Sequence, residues 1–194
     1  GNWVRQGSYL REVVKEYELD RNIGRGRIFR VDHETTKRGP LPRMLDETPA
    51  ELVAHLSHPN GWWRSEAQKL IILHGDKSVV PALEKLARDG KNPLGRLHAL
   101  WTLEGLDAVD SKLLSEKFED TDPRLRSAAV RISESVMDKD RSLDGAIAKL
   151  TTDNDPDVLI QAVLSVSRGG HPDAQSITEG TVSYTHLTLP TNGL

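Results

Sequence analysis

The sequence predicts a mainly helical chain, an α-solenoid of stacked helix pairs, on three observations. Helix-start strings built around Asp, Asn or His and proline recur: His58-Pro59-Asn60-Gly61-Trp62-Trp63-Arg64, Asn92-Pro93-Leu94-Gly95-Arg96, Asp122-Pro123-Arg124-Leu125-Arg126 and Asp155-Pro156-Asp157-Val158-Leu159. Their prolines lie 34, 30 and 33 residues apart. A small residue follows each start (Ala67, Ala99, Ala129, Ala162), and a large apolar one comes a turn later (Leu70, Leu103, Ile132, Val166). Further apolar helical segments separate these helices, so each unit is two helices that cannot bury an apolar face alone and must stack on its neighbours.

The elements follow in chain order. Tyr9 to about Leu19 carries Leu10, Val13, Val14 and Tyr17 at helical spacing. Ile28-Phe29-Arg30-Val31 reads as a short strand introduced by Gly24 and Gly26. Those glycines do not make a phosphate loop, because such loops follow a strand and open a helix, and position 29 is Phe where a third glycine would stand. Lys37 to Pro42, with two prolines and a glycine, reads as a linker. The expected organisation is therefore 1–35 as a strand-bearing end piece, 36–47 as linker, 48–180 as helical repeats and 181–194 as a tail.

Thr48-Pro49 with Glu51 starts the repeat region: a hydroxyl to cap free amides, proline in the first turn, and an acid at the positive helix end. The intervening helices are expected at Val79–Leu86, Ser111–Phe118 and Leu143–Leu150. After Gly180 the pattern breaks. Val182-Ser-Tyr-Thr-His-Leu-Thr-Leu-Pro-Thr191 alternates Thr with larger residues and matches no unit. It resembles the translation of a transposon-based sequencing adapter; an edge strand and a disordered tail are the alternatives.

Composition excludes several functions. The 194 residues contain no cysteine, hence no disulfide, thiolate metal site, cysteine nucleophile or CxxCH haem attachment. No apolar run reaches membrane-spanning length, and no signal peptide is evident. The net charge of −3 divides unevenly: residues 1–43 hold ten Lys/Arg and six Asp/Glu, the remainder sixteen and twenty-three. The basic part is interleaved with Glu12, Glu16, Glu18 and Asp20, so a solvated surface is a better reading than a nucleic-acid footprint.

No catalytic, cofactor-binding or metal-ligating residue is assigned. His55, His58 and His74 fall at helix ends without a third ligand at a matching offset. Asp153-Asn-Asp155-Pro-Asp157 alternates like a calcium loop, but lacks its glycine and final glutamate, and helix capping explains it more simply. Trp62, Trp63, Arg64, Arg96, His98 and Trp101 are the candidates for a partner surface. Trp62 and Trp63 point about 100° apart on a helix, so at least one is expected to pack inside. Trp101 shares a face with His98, and core filling is its default role. Arg64 and Arg96 are expected to pair with acids of adjacent repeats, Glu104 being one such residue.

The capped starts, mid-helix small residues and apolar ridge resemble HEAT repeats, a class of protein-binding scaffolds. Two strings, His58-Pro-Asn-Gly-Trp-Trp-Arg64 and Arg96-Leu-His-Ala-Leu-Trp-Thr-Leu-Glu-Gly-Leu106, together with Gly26-Arg-Ile-Phe-Arg-Val31, resemble the middle of planctomycete and verrucomicrobial membrane-bound dehydrogenases with a haem-binding domain. The resemblance covers about 175 of the 194 residues. It implies that Ile28–Val31 ends a sorbosone-dehydrogenase-like β-propeller. It also implies that the repeats are a non-catalytic connector leading to a cytochrome c domain. The parent would then be a periplasmic or cell-envelope oxidoreductase using haem c and a quinone cofactor, with those flanking domains as the connector's partners. No catalytic residue of that family maps onto this sequence. The alternative is a free-standing HEAT-repeat adaptor for protein–protein interaction.

Overall fold

The computed structural model describes residues 10–22, 33–35 and 39–180. The expected strand Ile28–Val31, the Gly24/Gly26 turn and the tail 181–194 lie outside the described residues. Contacts divide the chain into two units, 1–41 and 42–194. In the first, α1 (Leu10–Glu16) is followed by a 3-10 turn at Leu19–Asn22, and no residue of α1 is buried.

The second unit is mainly helical: α2 (Pro49–His55), α3 (Gly61–His74), α4 (Val80–Asp89), α5 (Pro93–Gly105), α6 (Ser111–Phe118), α7 (Pro123–Ser133), α8 (Asp144–Leu150) and α9 (Pro156–Arg168), with residues 174–180 again helical. No β-strand occurs among the described residues. Met44, within a short 3-10 turn, is already part of the core.

The helix starts form as their chemistry dictates. Thr48 and Glu51 make a reciprocal capping box on α2. Asn60, Asn92, Asp122 and Asp155 each cap the helix that follows, accepting the backbone N–H two residues on. Proline opens α5, α7 and α9, where its missing N–H costs nothing. Pro59, by contrast, lies before the cap of α3, and Gly61 takes the first helical position. Gly75 ends α3 in the left-handed conformation (φ 65°), its N–H closing on the carbonyls of Ile71 and Ile72.

Packing runs in a regular ladder. α2 packs on α3, α4 on α5, α6 on α7 and α8 on α9, while α3, α5, α7 and α9 pack on one another in sequence. Each shorter helix thus packs on the longer one after it, and α7 and α9 pack on each other more extensively than α8 does on α9. Ala67, Ala99, Ala129 and Ala162 all fall at the seventh residue of their helices, and all are fully buried. A methyl at that point lets successive long helices approach closely. The eleventh residues, Ile71, Leu103, Ser133 and Val166, are buried with them. One expected ridge position is corrected, since Ile71 replaces Leu70, which is only partly buried; Ile132 is buried as expected, with Ser133 beside it at the eleventh place. The Ser133 hydroxyl is satisfied by donating to the Val130 carbonyl at 2.6 Å.

Candidate functional site

The fourth residue of α3, α5 and α7 is arginine: Arg64, Arg96 and Arg126. The residue two before each cap is His58, Gly90, Asp120 or Asp153. These two positions meet across the stack. Arg96 Nη1 donates to Asp120 Oδ2 at 2.7 Å, and Arg126 grips Asp153 with two bonds of 2.9 and 2.7 Å. Asp120 is 5% exposed and also receives Lys117 at 3.3 Å. Each carboxylate takes the cap residue's own N–H as well, from Asp122 at 3.0 Å and from Asp155 at 2.8 Å. The Arg126 hydrogen bond holds the Asp153 carboxyl below the ordinary carboxylate range despite burial. Arg96 therefore pairs with Asp120, not with Glu104.

The ladder stops at its first rung. Gly90 occupies the place of an acid, and a Cβ there would press on the Leu86 carbonyl at 2.6 Å and on Leu86 and Arg96 side chains. Arg64 instead closes its own loop, donating to the carbonyls of His58 (2.6 Å) and Pro59 (2.9 Å). Asn92 supplies the missing tie by donating to the Ser57 carbonyl at 3.1 Å, while Gly95 lets Ser57 sit directly against α5. At the far end Leu159 takes the arginine position of α9.

The aromatic candidates separate as helical geometry requires. Trp63 packs against the core and is covered by the His58 ring, stacked at 4.7 Å, and the tilted His55 ring at 5.0 Å. Trp62 remains 53% exposed, edge-on to Trp63. His55 is tied to Glu47 at 2.7 Å. His98 is half-buried and shares a 2.6 Å hydrogen bond with Gln68; burial, then the nearby Arg64 charge, lower its pKa. Trp101 packs against the core and also lines a groove of about 310 Å³ with Leu97, Arg124, Arg131 and Gln161. The six candidates thus do not converge on one point: Trp62, Trp63 and Arg64 lie in the first turn of α3, His98 meets Gln68 further along α3, Arg96 belongs to the ladder, and Trp101 to the groove.

Arg126 and Asp120 are absent from the candidate partner-surface residues, and Asp153 enters the sequence reading only as a helix-terminal acid. Their signal was present, since Arg126 follows Pro123 by the same interval as Arg96 follows Pro93. Of the alternating acids, Asp153 enters an arginine clamp and Asp155 caps α9, accepting the Asp157 N–H. Among the described residues no group of three His, Asp or Glu side chains is placed to hold a metal ion, and no helix is long and apolar enough to cross a membrane. Comparison with known protein families and with curated proteins finds no match.

Proposed function

We propose that this chain is a HEAT-like α-solenoid segment that works as a non-catalytic connector within a larger exported, quinoprotein-like sugar dehydrogenase bearing a cytochrome c domain. The observation that carries the connector role is the Arg–Asp ladder: Arg96–Asp120 and Arg126–Asp153 tie three successive helix pairs through partly buried, directional bonds. Such ties fix the rotation between neighbouring pairs, and that rotation sets the shape of a repeat stack. A spacer of fixed shape is what two domains exchanging electrons require. The identity of those domains rests on the resemblance of the Trp-Trp-Arg and Leu-His-Ala-Leu-Trp strings. In the parent, the flanking domains would supply haem c and the quinone; the role of this segment is to hold them apart at a set distance.

The groove beside Trp101 favours a second reading, a HEAT-repeat adaptor. Its Leu97–Trp101 floor and the exposed Arg124 and Arg131 offer a partner protein an apolar anchor with cationic edges. The genomic locus separates the two. The connector requires repeated strand-coding sequence upstream and a CxxCH motif downstream in the same reading frame. A nearby start codon and no haem motif would favour the adaptor.

A further inference from the structure

The outward face of α9 differs from those of the helices before it. Ile160 and Leu164 are 54% and 58% exposed. They occupy the fifth and ninth positions of α9, where α5 carries Leu97 and Trp101 packed against the core. The helix-on-helix face that joins α3, α5, α7 and α9 therefore continues outward on α9 as uncovered apolar surface.

The charges beside these residues show what fits there. At 100° per residue, Asp157, Ile160, Leu164 and Arg168 fall within an arc of about 80° and form one seam about 16 Å long. An acid stands at its N-terminal end and a base at its C-terminal end, and the Arg168 side chain is 69% exposed. The seam is complementary to itself when reversed. Two copies packed antiparallel would bring Asp157 against Arg168 of the partner subunit and Ile160 against Leu164 of the partner subunit, with the helix dipoles opposed. A parallel arrangement would set like charges together. Arg168 also reaches Glu134 at 3.2 Å within its own copy, and Asp157 shares the neighbouring groove with Arg124. Glu134 is shared with Arg131 and Arg124 is held by Asp122, so both ends of the seam keep their sign.

We propose that α9 is a self-association surface, and that its occupant is α9 of a second copy of this chain, antiparallel about a two-fold axis near Ala162 and Val163. This inference stands independently of the connector reading. One helix face is a small interface, so the dimer forms at micromolar concentrations.

Sedimentation velocity of the full chain tests it, from about 5 to 500 µM, a range bracketing micromolar dissociation constants. The expected result is a concentration-dependent monomer–dimer equilibrium that I160D/L164D abolishes. D157R or R168D alone should weaken it about tenfold, and the D157R/R168D combination should restore it. Circular dichroism should show every variant as helical as the parent, since these side chains face solvent. A monomer throughout the range, or a dimer indifferent to I160D/L164D, overturns the proposal. Because the chain lacks cysteine, D157C and R168C mixed in equal amounts give a fold-independent reading. The antiparallel seam requires the mixed disulfide to exceed clearly twice the yield of each homodisulfide, the ratio random pairing gives; the random ratio overturns it. A monomer whose L164C thiol resists labelling would assign this face to the chain's own residues 182–194, also overturning it.

Discussion

Arg126 and Asp153 meet fork to fork across two helix pairs, 27 residues apart in sequence, with side chains 17% and 10% exposed. The guanidinium uses a third donor on the Asp120 carbonyl at 2.9 Å, so one residue joins two successive loops. Asp153 in turn holds the amide of the residue that caps α9. Removing either partner leaves a charge in a half-dry site. R126A should cost about 2–3 kcal/mol, the range of charge-assisted bonds lost from a partly buried position. R126K keeps the charge but loses the planar fork, and should recover less than half of that. Urea denaturation midpoints measure both.

The same pair makes stability depend on pH. The Asp153 carboxyl titrates lower in the folded chain than in the unfolded one, chiefly through the Arg126 hydrogen bond. The folded state therefore binds fewer protons in that interval, and the contribution is complete above the unfolded carboxylate value of about 3.9. It is lost as pH falls through the lower, folded value. Asp122, held down by Arg124, acts in the same direction. Melting temperature should thus fall on acidification below about pH 4, and D153N should show a shallower fall from a lower starting point.

Overfilling the seam between long helices should be costly. Ala99 and Ala129 are fully buried at the seventh residues of α5 and α7. Replacing either by Leu forces apart helices that touch there, at about 1–3 kcal/mol for overpacking. Ala128, one residue before Ala129, lines the groove, and A128L should be tolerated better. Thermal melts of the three variants compare the positions directly.

Much of this architecture was legible in the sequence. Caps are local chemistry, so Asn92, Asp122, Asp155 and the Thr48–Glu51 box could be read from adjacent residues. Register was harder. Aligning units on proline places Pro59 with Pro93, but Pro59 precedes its cap and Pro93 follows its own. With the register loose, the ridge residue one turn after Ala67 could be read as Leu70 or Ile71, and the structure buries Ile71. Partners across units were the least legible. Arg96 turns to Asp120 and not to Glu104 because the acid two before a cap sits in its loop against the preceding long helix, a placement set by stacking. The exposed Trp62 and covered Trp63 follow from their angular separation, but the His58 ring that covers Trp63 depends on the path of the loop.

The α2 cap isolates a purely local term. The Thr48 hydroxyl and Glu51 carboxylate satisfy each other's backbone amides at 3.4 and 2.8 Å. T48A should cost about 1 kcal/mol, typical of a lost N-cap, and T48S should cost little. Hydrogen exchange of the Glu51 amide, faster in T48A alone, ties the loss to the cap.

We propose that the ladder makes this segment a spacer of fixed shape. Cysteines introduced at Lys69 in α3 and Ser167 in α9, unique in a chain without native cysteine, allow spin labels at both ends of the long-helix stack. Double electron–electron resonance on labelled chains diluted with unlabelled protein should give one narrow distance distribution, broadened by R126A while helicity persists. A distribution already broad in the parent, or one that R126A leaves unchanged, would mean that the ladder does not set the shape of the stack.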